Sequence, residues 1–164
     1  MIIREIHEKD ASEFLIFLQQ LDEESKFLLY EAGERAESTS GIESYIRKIY
    51  ASSSFLIIAE EDNKIVGFLS AERGIANRIK HCAYIVTGIL KKQQGKGIGT
   101  LFFEKLDEWA TKSHIHRLEL TVMTHNNIAI HLYEKSGYQI EGIKKSAMKV
   151  DGNHIDEYYM YKLI

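Results

Sequence analysis

The sequence predicts a mixed α/β fold built as one domain of residues 1–164, and three observations carry that reading. Segments of strand and helix periodicity follow one another as β, α, α, β, β, β, glycine-rich loop, α, β, α, β, β. Two strand pairs are separated by short polar turns, the pattern of β-hairpins. One helix, directly after the glycine-rich loop, joins two apolar strands as a crossover. The 164 residues suffice for one core, since ordinary domains run ~100–200 residues. A content of 45% hydrophobic and 27% charged residues excludes collagen-like, disulfide-scaffold and disordered classes. There is no proline at all, so glycine must do the punctuation.

Residues 1–6 read as a short strand. Asp10-Ala11-Ser12-Glu13 has the capping-box pattern and opens a helix carrying Phe14, Leu15, Phe17, Leu18 and Leu21 at helical spacing. Residues 22–40 are polar around Phe27-Leu28-Leu29-Tyr30 and read as a loop or a broken helix. A second capping pattern, Ser40-Gly41-Ile42-Glu43, opens a helix with Ile42, Ile46 and Ile49 on one face. Ser54–Glu60 and Ile65–Ser70 form a hairpin through Glu61-Asp62-Asn63-Lys64. The run His81–Leu90 is β-branched enough to be a strand buried on both faces, with Cys82 in the core. After the glycine-rich loop, Leu101, Phe102, Leu106, Trp109 and Ala110 trace a helix. Arg117–Val122 alternates as a strand, and Asn126–Ser136 is a short helix ended by Gly137 at a C′ position. Strands near residues 138–149 and 154–163 close the chain, joined by a turn with the Asp151-Gly152 pair that favours tight hairpins.

The net charge of −3 is unevenly spread. Residues 1–82 hold 10 basic and 15 acidic side chains, and residues 83–164 hold 11 and 9. Such a split can set a cationic partner on one half and an anionic one on the other, or reflect surface drift. The chain lacks the basic excess of a nucleic-acid footprint. A single cysteine forbids an intrachain disulfide and fits a reducing compartment. With no apolar stretch able to span a bilayer and no leader pattern at Met1–Glu5, the expected location is the cytoplasm, with no membrane partner.

The chemistry concentrates at Gln94-Gly95-Lys96-Gly97-Ile98-Gly99-Thr100, between a strand and a helix. Glycines let the backbone approach an anion, and the first N–H groups of the helix lack internal partners and sit at its positive end. Lys91, Lys92 and Lys96 add full charges. The P-loop and dinucleotide spacings both fail here. Glu119 nevertheless falls ~20 residues beyond the glycines, where a ribose-binding acid could stand, which leaves a dinucleotide-binding oxidoreductase as a weak alternative.

Gln94-x-x-Gly97-x-Gly99 resembles the [Arg/Gln]-x-x-Gly-x-[Gly/Ala] loop of the GNAT superfamily of acyl-CoA N-acyltransferases. Asn126-Asn127-Ile128-Ala129-Ile130-His131-Leu132-Tyr133-Glu134-Lys135-Ser136-Gly137-Tyr138 resembles that superfamily's N-x-x-A-x-x-L-Y-E-K-x-G-[FY] helix. The two motifs, in order and correctly spaced, cover residues ~81–143. The C-terminal stretch Asp151–Met160 is similar to the branch containing ribosomal-protein N-terminal and polyamine acetyltransferases. The resemblance implies a GNAT fold: a mostly antiparallel, twisted sheet of about seven strands with four helices, splayed between the cofactor strand and the next.

The resemblance also implies an activity, acetyl transfer from acetyl-CoA as co-substrate to a primary amine of a small molecule or a protein N-terminus. Gln94, Gly95, Lys96, Gly97, Ile98, Gly99 and Thr100 would cradle the pyrophosphate, with Lys91 nearby. The strand end at Ile89 and Leu90 would pair with the pantetheine arm like an added strand. Asn126 matches a cofactor-contacting asparagine, and is equally good as a helix N-cap. Tyr133 matches the tyrosine proposed as general acid for the departing thiolate, and would contact the cofactor too. Transfer is expected to be direct, with no covalent enzyme intermediate.

One departure bears on the acceptor. The superfamily often carries a glutamate on its cofactor strand, whereas Ala83–Leu90 holds no carboxylate. Candidate bases are Glu119, His125 and Glu60, each at a predicted strand end. A lysine-like amine, with pKa ~10.4, is neutral in only about one molecule in 2,500 at pH 7, whereas an α-amine near 7.7–8.0 is neutral in roughly a tenth or more. The missing glutamate therefore favours an α-amine or a water relay. The acidic stretch Asp22, Glu23, Glu24, Glu31, Glu34 and Glu37 suits a cationic acceptor. The absent strand carboxylate also keeps open a non-catalytic acyl-CoA-binding sensor. His114, His116, His125 and His131 lack the spacing of a metal site, so no metal is expected. Exposed terminal strands suit a homodimer.

Overall fold

The fold is given by a computed structural model, which describes residues 1–35 and 37–164. Its element order is the one read from the periodicities: β1 (Ile2–Glu5), α1 (Ala11–Glu24), α2 (Thr39–Ala51), β2 (Phe55–Glu61), β3 (Lys64–Arg73), β4 (Cys82–Ile89), α3 (Ile98–Lys112), β5 (Arg117–Met123), α4 (Asn127–Lys135), β6 (Gln139–Val150) and β7 (Asn153–Leu163). The seven strands form one sheet in the order β1-β2-β3-β4-β5-β7-β6. Every neighbouring pair is antiparallel except β4 and β5. The α3 crossover makes that pair parallel, because a crossover returns the chain in the same direction.

Two turns behave as their residues dictate. Asp62 and Asn63 both take positive φ, 51° and 61°, and Asp151 and Gly152 do the same at 50° and 80°. Two left-handed residues in succession match the twist of a two-residue hairpin. The helix starts differ from the capping patterns in the sequence. Ser38, not Ser40, caps α2, its hydroxyl accepting the Gly41 N–H at 3.1 Å. Asp10 precedes α1 without capping it. Its carboxylate is spent on the His7 N–H (2.8 Å) and on Arg4, which also binds Glu60.

The helices divide between the two faces of the sheet. Phe68 of β3 meets Phe14 and Phe17 of α1 edge-on, and Tyr45 of α2 reaches Glu72 of β3, so α1 and α2 cover one face over β2 and β3. On the other face Gly67 meets Phe102 of α3, and Lys162 of β7 pairs with Asp107 of α3 at 2.6 Å. The core lies in these two layers, with Ile6, Phe14, Ile46, Ile58, Leu69, Phe102, Leu106 and Leu118 fully enclosed. Burying such side chains is the main favourable term in folding.

The expectation that the β4 strand is buried on both faces is corrected. Ala83 and Ile85 are enclosed, but Tyr84 and Val86 are 41% and 39% exposed. On that face Leu21 of α1 reaches β4 at Gly88, where a Cβ would collide with its Cδ2, but Tyr84 and Val86 nearer the start of the strand stay exposed. Cys82, expected in the core, is only half-buried at the first position of β4. No helix among the described residues is long and apolar enough to cross a membrane.

Candidate functional site

β4 and β5 pair over only three residues: Cys82 with Arg117, Ala83 with Leu118, and Tyr84 with Glu119. Both strands then run on, β4 to Ile89 and β5 to Met123, without pairing to each other. β4 keeps its bonds to β3 along this stretch, and β5 keeps its bonds to β7. The result is a wedge-shaped slit in the middle of the sheet. The β4 backbone groups that face it have no strand partner, and buried backbone groups need one.

The glycine-rich loop stands at the end of β4. Gln94, Gly95, Lys96 and Gly97 are exposed. Gly95 and Gly97 have φ of 76° and 83°, the left-handed region that glycine alone enters without cost, and open space surrounds the position of a Cβ on either. Gly97 is also the N-cap of α3, so the first-turn N–H groups of that helix point out beside it. Gly99 has a different cause. It is helical, and a Cβ there would stand 2.6 Å from Cδ2 of Leu132. It admits α4 against α3.

Other loop residues are placed with similar definition. Ile98 and Leu90 turn their side chains into the core, 1% and 8% exposed, so only their backbone faces the loop. The Gln94 amide donates back to the Ile89 carbonyl at 3.1 Å, and the Lys91 N–H donates to Glu24 at 2.7 Å. Lys96 is bonded to Gln93 at 2.5 Å, with Glu61 at 3.7 Å, while Lys91 and Lys92 are exposed. Thr100 is half-buried in the first turn of α3.

Tyr133 lies on α4, against the face of the sheet that α3 covers. Its ring is edge-on to Phe103 at 5.6 Å, and the residue is 8% exposed. Burial, with the nearby Tyr84 phenol as a second cause, pushes its pKa above the usual tyrosine range. It therefore stays protonated at any physiological pH. Asn126 caps α4, its side-chain oxygen accepting the Ala129 N–H at 3.3 Å.

The opposite face of the slit is open. Tyr84, Glu119, Glu141, Gly142 and Tyr159 line a shallow pocket of about 340 Å³ there. Of the three expected bases, Glu119 reaches this face, half-exposed, with its carboxylate accepting the Arg117 Nε–H at 2.7 Å. Arg117 binds Glu141 as well and lies over the Tyr161 ring. His125 is exposed in the β5–α4 turn, its ring 5.2 Å from Phe27 of the α1–α2 connection. Glu60 is not brought to the site: it sits in the Arg4 cluster near the β1 edge. Sequence reasoning missed Tyr84 and Thr121, whose hydroxyls meet at 2.8 Å across the slit. The alternation of β4 and β5, set in register, was the signal that would have found them.

Part of the acidic stretch is paired within the chain. Asp22 is buried and takes two bonds from Arg35, at 2.7 and 3.1 Å, and Arg35 also stacks over Tyr30. Glu34 accepts the Glu31 N–H, and Glu24 accepts that of Lys91. The connection crosses to the far side of the sheet through Phe27 on His125 and Lys26 on Asp151, at 2.6 Å. Among the described residues no group of three or more His, Cys, Asp or Glu side chains is placed to hold a metal ion.

Known proteins share this fold. An acetyltransferase of the GNAT family from Streptococcus pneumoniae has a crystal structure that superposes with a TM-score of 0.96 at 33% identity, covering 99% of both chains. The spermidine N(1)-acetyltransferase of Vibrio cholerae is 28% identical over 152 residues, 91% of this chain and 87% of that protein. The L-amino acid N-acetyltransferase of Escherichia coli K12 is 28% identical over 111 residues, 65% of this chain and 67% of that protein. The family model described as Acetyltransferase (GNAT) family matches residues 13–138, and the chain belongs to that family.

Proposed function

We propose that residues 1–164 act as one catalytic domain that moves an acetyl group from acetyl-CoA to a primary amine by direct attack, in the slit between β4 and β5. The observation that carries this is the parting of two parallel strands after three residue pairs, with a buried, protonated Tyr133 on one face and an open pocket on the other. An extended thioester arm fits such a slit, because the edge of β4 beyond Tyr84 has no strand partner and offers strand-like hydrogen bonds as far as Ile89, whose carbonyl would exchange the Gln94 amide for the arm, while Leu90 gives its N–H to Val66 and borders the arm by position. The open, left-handed turns at Gly95 and Gly97 fit the pyrophosphate, held by backbone N–H groups from Gly95 to Thr100 and by Lys91 and Lys96. Gln94 and Asn126 border this path.

Chemically, the neutral amine attacks the thioester carbonyl from the open face. The new N–C bond forms as the C–S bond breaks, and sulfur leaves with the bonding electrons. Tyr133 supplies the proton or hydrogen bond that the leaving thiolate needs. The surplus proton on nitrogen passes to water or to Glu119 or His125 at the open face. No covalent enzyme intermediate forms.

The acceptor is a small-molecule amine or a protein N-terminus. The spermidine and L-amino acid enzymes among the relatives support a compact amine, and the absence of a carboxylate on β4 supports an α-amine or proton loss through water. The place of action we assign is the cytoplasm. The test is thiol release from acetyl-CoA against a panel of peptides, amino acids, polyamines and aminoglycosides. Turnover with one class names the acceptor. Tight acetyl-CoA binding with no turnover on any amine would make the protein an acyl-CoA sensor instead.

A further inference from the structure

The slit opens just past the Tyr84–Glu119 pair. At that point, on the open face, the Tyr84 hydroxyl lies 2.8 Å from Oγ1 of Thr121. The backbones of β4 and β5 no longer bond to each other there, so this side-chain bond spans the slit at its narrow end, where the strands part. Tyr84 is 41% exposed and lines the pocket with Glu119, Glu141 and Tyr159. Tyr159 is the β7 partner of Thr121, which places these hydroxyl groups side by side on one face. On the opposite face Tyr133 is near enough for the Tyr84 phenol to raise its pKa, secondarily to burial. Two phenols therefore flank the narrow end of the slit from opposite faces.

We propose that Tyr84, held by Thr121, orients the acceptor amine; this rests on the acetyl-transfer reading above. An amine that reaches the narrow end of the slit from the open face meets this pair. With Tyr84 donating to Thr121, the phenol oxygen keeps lone pairs to accept one N–H of the amine. A hydrogen bond fixes the direction of that N–H. The nitrogen lone pair then points into the slit, where the thioester carbonyl has to lie. Orientation of this kind lowers the barrier without any charge on the enzyme changing. It also suits a β4 strand with no carboxylate, since the proton lost after attack leaves on the solvent side of the same phenol.

The test compares Tyr84→Phe, Thr121→Val, Thr121→Ser and the Tyr84→Phe/Thr121→Val double variant. Each is assayed with acetyl-CoA and three probe amines: butylamine, spermidine and an alanine-terminated peptide. Acetyl-CoA affinity and thermal midpoint are measured in parallel. Loss of one neutral hydrogen bond predicts a fall of about ten-fold in kcat/KM for the amine in Tyr84→Phe and in Thr121→Val. Acetyl-CoA affinity stays within about two-fold of wild type, Thr121→Ser keeps activity, and the double variant is no worse than the single ones, as expected for two members of one contact. Full activity in both single variants overturns the assignment, and so does a matching loss of acetyl-CoA affinity, which marks a purely structural bond. Wild-type protein that releases no thiol with any of the three amines overturns the acetyl-transfer reading, and this assignment with it.

Discussion

The Leu132 side chain of α4 occupies the space next to Gly99 of α3, so close that a Cβ on Gly99 would stand 2.6 Å from it. One glycine of the loop motif thus serves helix packing, while Gly95 and Gly97 serve chain conformation. Gly99→Ala should cost about 1–3 kcal/mol by overpacking, read as a lower thermal midpoint. In a Leu132→Ala background Gly99→Ala should cost less than in the wild type, because the truncated side chain leaves room for the new methyl. An equal cost in both backgrounds would show that the contact is not the cause.

Gly97→Ala should act on the ligand rather than on the core. Its φ of 83° is left-handed, where an L-residue costs roughly 1–2 kcal/mol. Nothing else crowds the site. The turn should shift to relieve the strain, so acetyl-CoA affinity measured by calorimetry should fall by about ten-fold while α3–α4 packing survives.

Lys91 needs two substitutions to be understood. The chain has no proline, and a proline at this position would remove the N–H that Glu24 accepts at 2.7 Å. Lys91→Pro should therefore lower stability by about 1 kcal/mol or more, through an unmet carboxylate hydrogen bond. Lys91→Gln removes only the charge. It should weaken acetyl-CoA binding more at low salt than at high salt, because a partly exposed charge is screened. Equal loss at both salt concentrations would contradict an electrostatic role.

Alkaline pH should expose the buried phenols. Burial raises the pKa values of Tyr45, Tyr133 and Tyr138 above the ordinary tyrosine value of ~10. The unfolded chain then loses these protons before the folded one does. The stability that they contribute is complete below pH ~10 and declines as the pH rises above it. Tyr45, Tyr133 and Tyr138 should ionise together with the loss of circular dichroism. Tyr133 itself causes no loss of rate between pH 6 and about 9, being protonated throughout.

Tyr133→Phe keeps the ring against Phe103 and deletes only the hydroxyl. The fold and acetyl-CoA affinity should persist while kcat drops on the order of 10²-fold. Unchanged kcat would remove Tyr133 from the chemistry and leave it as core.

Much of the fold was legible because each element repeats one period. The apolar stripe of Ile42, Ile46 and Ile49 defines α2, and the Asp151-Gly152 turn defines the last hairpin. Cap positions were less legible, since Ser38 and Ser40 are equivalent in sequence and only the backbone decides which one is reached by Gly41. Burial of β4 was misread because an apolar run does not reveal where the α1/α2 layer ends. The loop and Tyr133 are proposed as site residues on local motifs. Tyr84 and Thr121 were not legible that way, because they lie 37 residues apart and meet only through the strand register. In the acidic α1–α2 stretch the pairing of Asp22 with Arg35 was not legible, because it joins two residues 13 apart through the path of the connection.

Direct transfer in the slit is tested most directly by initial rates with acetyl-CoA and the best amine varied together, with mass spectrometry of the protein during turnover. Attack on the thioester within one ternary complex predicts intersecting double-reciprocal lines and an unmodified chain. Parallel lines with an acetyl group on the protein would contradict it.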